Sequence, residues 1–212
     1  MSLAHKISGR NRLKKYQCFM NEIQPTEKQS ILDVGFSDRE YSASDNFLEK
    51  HYPHPENITA LGIDTANEFP RRYPKVKVVT YNGREFPFAD KQFDIVWSNA
   101  VIEHVGDFPK QVFFLREMLR VGRVVYFTTP NRYFPIEVHT RLPLVHWLPK
   151  KHFERIARLL GKGWATGEYM FLLSRKRLDE IIASAGVKKY RILRNRRFLC
   201  TMDFAVIVNR SE

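Results

Sequence analysis

FPFADKQFDIVWSNAVIEHV, residues 86–105, holds one short run rich in β-branched and aromatic residues, Phe93–Trp97, with charges before it and Ser98-Asn99 after it. Such a run predicts a strand buried on both faces. Four more runs share its texture: Ile31–Val34, Ile58–Ile63, Val76–Thr80 and Val121–Thr128. Helical stretches at Ser44–His51 and Asp107–Arg120 lie between them. The second is the clearer. Asp107 caps it, Pro109 suits its first turn, and Val112, Leu115, Met118 and Leu119 recur at helical spacing. Strands alternating with helices predict a mostly parallel sheet covered by helices.

The flanks add detail. Residues 1–29 are basic with scattered apolar positions (Leu13, Tyr16, Phe19, Met20, Ile23), which predicts a leading helix ending before Pro25. Residues 131–173 break the rhythm with prolines, tryptophans and histidines, and read as an insertion or cover. Ser174 then caps a helix through Ala185, and Gly186 stops it. The last two β-like stretches, Val187–Leu193 and Cys200–Val208, are joined by a short turn around Arg196–Arg197, too brief for a parallel crossover. The expected fold is α/β, a Rossmann-like three-layer sandwich. Its seven-stranded-type sheet is mostly parallel, with an antiparallel C-terminal strand, and forms one domain over residues 30–212 behind the segment 1–29.

With 212 residues, 43% hydrophobic and 27% charged, the composition is that of an ordinary globular chain. No apolar run reaches the roughly 18 residues of a membrane span, and the first residues lack a signal-peptide core. Cys18 and Cys200 make neither a disulfide framework nor a metal-ligand pattern, so a reducing, cytoplasmic setting is expected. A formal net charge of +12 attracts nucleic acid, anionic membrane or acidic substrates without choosing among them. A solvated basic surface with no partner reads equally well, and no obligate protein partner is implied. Residues 150–160 form a basic amphipathic helix that either docks on a membrane surface or packs on its own protein.

Two blocks end at strand termini, where doubly wound sheets bind ligands. In ILDVGFSDREYS, residues 31–42, Asp33 and Gly35 sit at the end of the first strand. Gly35 lets the backbone turn sharply, and Asp33 brings a carboxylate to the edge. A dinucleotide site wants three glycines in G-x-G-x-x-G; only Gly35 is present here, which argues against NAD. In ALGID, residues 60–64, Asp64 ends the second strand, where an acid accepts both hydroxyls of a ribose. Asn82-Gly83-Arg84 follows the third strand.

Taken in this order, the blocks resemble the class I S-adenosylmethionine-dependent methyltransferases, most closely the type 11 group. Members read D-x-G-x-G-x-G, then an acid after strand two, then a stretch like LPF-x-D-x-SFD-x-V-x-S-x-x-V-x-EH. The resemblance spans roughly residues 31–130 and is specific in FPFADKQFDIVWSNAVIEHV. It implies S-adenosyl-L-methionine as cofactor. Asp33, Gly35, Phe36 and Ser37 would belong to its methionine side, Asp64 to the ribose and Thr65 to the adenine. Asn82, Gly83 and Arg84 would border the adenine, and Ser98, Asn99 and Ala100 would lie under the methionine and sulfonium. The chain departs from the pattern where Ser37 and Arg39 replace the second and third glycines, which narrows the approach or forces another loop path.

His104 and His139 are the residues this fold would bring to the transferred methyl group, His104 as general base and His139 approaching from the cover. His139, His146 and His152, spaced by seven and six residues, fit no common zinc pattern, so no metal is expected. Methyl transfer is an in-line displacement that needs mainly alignment and a dry pocket. The acceptor is expected to be a small molecule, lipid or glycan. An RNA methyltransferase would suit the charge, but enzymes acting on planar base nitrogens often carry Asn/Asp-Pro-Pro-aromatic where this chain has Ser98-Asn99-Ala100-Val101. A non-catalytic cofactor-binding relative is the third reading.

Overall fold

The computed structural model describes residues 3–209 except 64, 138, 168 and 198, with side chains from residue 9 onwards. Helix α1 (Leu3–Ile23) leads into strand β1 (Ile31–Val34), helix α2 (Phe47–His51), strand β2 (Ile58–Gly62), helix α3 (Phe69–Arg72) and strand β3 (Lys77–Thr80). Strand β4 (Phe93–Asn99), helix α4 (Phe108–Val121) and strand β5 (Gly122–Pro130) follow. Helices α5 (Lys150–Leu159) and α6 (Arg175–Ser184) precede strands β6 (Arg191–Arg197) and β7 (Cys200–Asn209). The strands make one seven-stranded sheet in the order β3-β2-β1-β4-β5-β7-β6. Pairing is parallel among β3, β2, β1 and β4, and antiparallel between β6 and β7. The expected α/β sandwich, hairpin included, is the fold found.

Burial follows strand position. β1 and β2 are buried along their whole length, as their apolar runs require. The edge strands β3 and β6 are half-exposed, and β6 carries Arg191, Arg194, Arg196 and Arg197, charges that discourage edge pairing. β6 starts at Arg191 and not at Val187, because Val187–Tyr190 serves as connection after the Gly186 stop, whose φ is 86°.

The described residues fall into two compact units, one of residues up to 99 with 117–127 and 209, the other of 100–116 with 128–208. In the first, α1 docks through Phe19, whose ring meets Trp97 edge-on at 4.7 Å and Tyr126 at 5.3 Å. Trp97 and Tyr126 stack at 5.2 Å, and the Tyr126 hydroxyl donates to the Lys15 carbonyl at 3.0 Å. In the second, α5 turns Phe153 and Ala157 inward against Met170, Val145 and Leu172, leaving Leu159 and Leu160 exposed. That is the helix of residues 150–160, packed on its own unit. Ser174 caps α6 by accepting from the Arg177 amide at 3.2 Å. Among the described residues, no helix is long and apolar enough to cross a membrane.

Candidate active site

The first unit holds the residues read as lying at the ends of the first, second and fourth strands. Asp33, the next-to-last residue of β1, pairs with Ala60 of β2 and Trp97 of β4. Its carboxyl is buried near that of Glu49 of α2, which is buried too. Burial drives the Asp33 pKa well above the ordinary carboxylate range, Glu49 adds to the push, and Arg12 of α1 opposes it. Burial raises Glu49 as well. Burial therefore favours the neutral form of both carboxyls, an arrangement no spacing in the sequence discloses.

Gly35 adopts φ 110°, a left-handed conformation that side chains disfavour, and its amide donates to the Leu61 carbonyl at 2.8 Å. Beyond it the loop is held by side chains in place of further glycines. Asn46 brackets Ser37 from both sides, accepting from its amide at 2.9 Å and donating to its carbonyl at 2.8 Å. The Ser37 hydroxyl turns onto the Arg39 carbonyl at 2.7 Å. Asp38 accepts from the Glu68 and Phe69 amides at 2.8 Å each, tying the loop to the start of α3. The altered glycine pattern therefore goes with a different, polar way of fixing the loop.

Two residues assigned to the cofactor are committed to packing. The Phe36 ring is buried 4.6 Å from Phe69, so close to Gly62 that a Cβ there would meet it at 2.7 Å. Ser98 is buried and donates to the Val34 carbonyl at 3.1 Å, stitching β4 to β1. Asn99 offers its carbonyl to Arg12 at 3.5 Å. Thr65, Asn82, Gly83 and Arg84 are exposed, and Asn82 accepts from the Arg84 amide at 3.1 Å across a turn at Gly83, φ 77°. Beside Gly83 stands Ile63, an apolar side chain 69% exposed at the end of β2. Sequence reading passed over Ile63 and Arg12. Asp64 lies outside the described residues.

The most family-like residues, Phe86-Pro87-Phe88, are scaffold. Glu117 accepts from the Phe86 amide at 2.7 Å and pairs with Arg120, which donates to the Phe86 and Phe88 carbonyls at 2.9 and 2.7 Å.

In the second unit, Ala100 has φ 61°, strained for a residue with a Cβ, and donates to the Thr128 carbonyl at 3.0 Å. His104 and His139 are 35 residues apart in the chain and touch: their Nε2 atoms are 3.1 Å apart. His104 Nδ1 faces the Tyr169 carbonyl at 2.8 Å, and His139 Nδ1 faces Glu137 Oε1 at 2.7 Å. Both partners are acceptors, so both Nδ1 atoms carry the hydrogens. Glu137 also accepts from the Thr140 hydroxyl at 2.6 Å and from its amide. Burial would raise Glu137, but the His139 N–H and the Thr140 hydroxyl hold its pKa down at about 2. Glu103, fully buried, accepts from Thr129 at 3.0 Å through Oε2, and its Oε1 lies 4.0 Å from each imidazole. The two rings thus meet at one centre. His146 joins no cluster; it is buried and bonds the Phe134 carbonyl at 2.9 Å.

The same unit holds a cavity of about 440 Å³, lined by aromatic and aliphatic groups with the cations Arg132, Lys150 and Arg177 and one acid, Asp107. Lys150 sits 3.9 Å from the Phe171 ring and Arg177 4.0 Å from that of Phe108.

Comparison with known proteins bears on the fold. Residues 46–124 match the family model of the type 11 methyltransferase domain, which begins after the altered glycine loop. Two strains of Mycobacterium tuberculosis carry a relative named as a probable S-adenosylmethionine-dependent methyltransferase, 42% identical over 64 residues. That match covers 29% of this chain and spans only 22% of the relatives' length. A methyltransferase of Thermotoga maritima, described as a possible histamine N-methyltransferase, shares the fold at a TM-score of 0.61, with 12% identity over 99% of this chain and 92% of that one. A SAM-dependent methyltransferase of Aquifex aeolicus does so at 0.58, with 15% identity over 90% of this chain and 87% of that one. From α2 into β5 the chain is similar to the type 11 methyltransferase domain, and its seven-stranded α/β sheet is the fold of the S-adenosylmethionine-dependent methyltransferase structures compared with it.

Proposed function

We propose that the chain transfers the methyl group of S-adenosyl-L-methionine to an oxygen of a small-molecule, lipid or glycan acceptor, in a reducing, cytoplasmic setting. The observation that carries the choice of oxygen is the Glu103–His104–His139 cluster. A hydroxyl must lose its proton as it attacks, and two imidazoles with orienting partners on Nδ1 suit that task. The cavity of about 440 Å³ is of small-molecule size, and its three cations favour an acceptor with an anionic group. The net charge of +12 favours RNA as a second reading. Titration with S-adenosylmethionine and S-adenosylhomocysteine, then product detection over an acceptor panel, tests the proposal. Nucleic acid retained through purification, with turnover on RNA alone, would transfer it to the second reading.

On the cofactor side, Asp64 takes the ribose hydroxyls, Asp33 the methionine ammonium, and Ile63 and Gly83 border the adenine. Asp64→Ala is expected to weaken S-adenosylhomocysteine binding about ten- to a hundredfold, the worth of a charged hydrogen bond. An unchanged dissociation constant removes Asp64 from the site.

Asp33 gives a pH-dependent test. Its folded pKa is raised, so below the unfolded value of about 3.9 both states are protonated and nothing is contributed. As pH rises above that value, the unfolded chain ionises first and the folded state loses stability until the folded pKa is passed. Asp33→Asn removes this penalty and should raise the melting temperature above about pH 4. The same change should weaken cofactor binding about ten- to a hundredfold. Since a cationic ammonium favours the carboxylate, wild-type binding should release a proton and tighten with pH. Calorimetry in buffers of different ionisation enthalpy reads that release; its persistence in Asp33→Asn would point to another group.

A further inference from the structure

We infer that Glu103, His104 and His139 form a binding site for one divalent transition-metal cation, held by Glu103 Oε1 and the two Nε2 atoms. This goes beyond methyl transfer, because occupancy needs neither cofactor nor acceptor. The three ligand atoms lie within 4.8 Å of one another. With both Nδ1 hydrogens committed to oxygen acceptors, the neutral rings turn Nε2 lone pairs toward each other at 3.1 Å. Lone pairs at that distance repel until a proton or a cation lies between them. Two imidazole nitrogens about 2.0–2.1 Å from a zinc-sized ion stand roughly 3.3 Å apart, close to the separation present.

Glu103 supplies the second, independent observation. Its side chain is fully buried, and among the described residues its Oε1 has no hydrogen-bond partner. It stands 4.0 Å from both ring nitrogens, so it closes by less than about 1 Å to complete a three-ligand set. All three ligands have orienting partners: Tyr169 carbonyl for His104, Glu137 for His139 and Thr129 for Glu103. Ligand histidines are usually fixed in this way. Two buried carboxylates, Glu103 and Glu137, are balanced by a divalent ion. The rings are about one-fifth exposed, which leaves an entry path and open coordination positions. Two imidazoles and one carboxylate select zinc, cobalt, manganese or iron over magnesium and calcium. Spacing among His139, His146 and His152 could not show the site, since its histidines are His104 and His139.

The test uses the full chain, stripped with chelator and titrated with Co²⁺ and Zn²⁺. One equivalent of Co²⁺ should bind with ligand-field absorption and be displaced by Zn²⁺. His139→Ala and Glu103→Gln should each abolish stoichiometric binding, and Glu137→Gln should weaken it about 10–100-fold. His152→Ala, an exposed histidine outside the cluster, should change nothing. S-adenosylhomocysteine titration of every variant reports folding and cofactor binding separately, so failure there concerns methyl transfer and not the metal. The inference is overturned if wild type takes up no more Co²⁺ than a folded His104→Ala/His139→Ala double variant.

Discussion

Trp97→Ala is expected to destabilise the chain by about 3–5 kcal/mol, the usual cost of removing a buried large aromatic side chain. Trp97 is 3% exposed, stacked on Tyr126 with the planes 5° apart and met edge-on by Phe19. Alanine removes one ring of a mutually packed trio, and neither neighbour can fill the gap, since Tyr126 is tethered to the Lys15 carbonyl and Phe19 rides on α1. For a chain of 212 residues the loss corresponds to a fall of about 6–20 °C in melting temperature. Phe19→Ala acts on the same contact, so the double variant should lose less than the sum, by about 0.5–3 kcal/mol. Chemical unfolding followed by circular dichroism measures both. A loss under about 1 kcal/mol would mean that the three rings do not form a packed unit.

The same residue shows how the fold came to be legible. Phe93–Trp97 reads as a buried strand from composition alone, and β4 is that strand, two residues longer. Each run named from texture is a strand, because a central parallel strand must be apolar on both faces. A connection too brief for a crossover disclosed the antiparallel pair, although Arg196 and Arg197, read as its turn, belong to β6 and pair with Thr201 and Cys200. Local patterns carried that much. Residues 131–173 were opaque because much of their structure comes from distant partners: an isolated bridge joins Asn131 to Leu173, and His139 meets His104.

The site was legible as an edge and less so as side-chain directions. Position at a strand terminus brought Asp33 and Gly35 to notice; Gly35 makes the sharp turn read for it, while the Asp33 carboxyl, read as offered at the edge, is buried. Phe36 and Ser98 were named on the same ground, yet their side chains serve packing and a strand-to-strand bond, which a one-dimensional motif does not encode. Glu49 and Arg12 come to Asp33 from other elements, and only the folded chain brings the three together.

His104→Ala is expected to lower turnover on a hydroxyl acceptor by about 10²–10⁴-fold, with S-adenosylhomocysteine affinity little changed. The loss belongs to the proton that an oxygen nucleophile must shed in the transition state; an amine attacking as the free base would show almost none. His139→Ala should lower turnover as well, beyond any rise in the Michaelis constant, since the two Nε2 atoms form one centre 3.1 Å across. Rate measurements after chelation and after reconstitution with Zn²⁺ or Mn²⁺ separate two ways for the centre to act. If the wild-type rate survives chelation and the variant's loss persists, the imidazole itself takes the proton. If chelation alone brings wild type down to the variant's rate, His104 acts as a ligand and the cation acidifies the hydroxyl. Full turnover of both variants at saturating acceptor, with or without metal, would remove the histidine pair from the chemistry and leave it a structural clasp between residues 104 and 139.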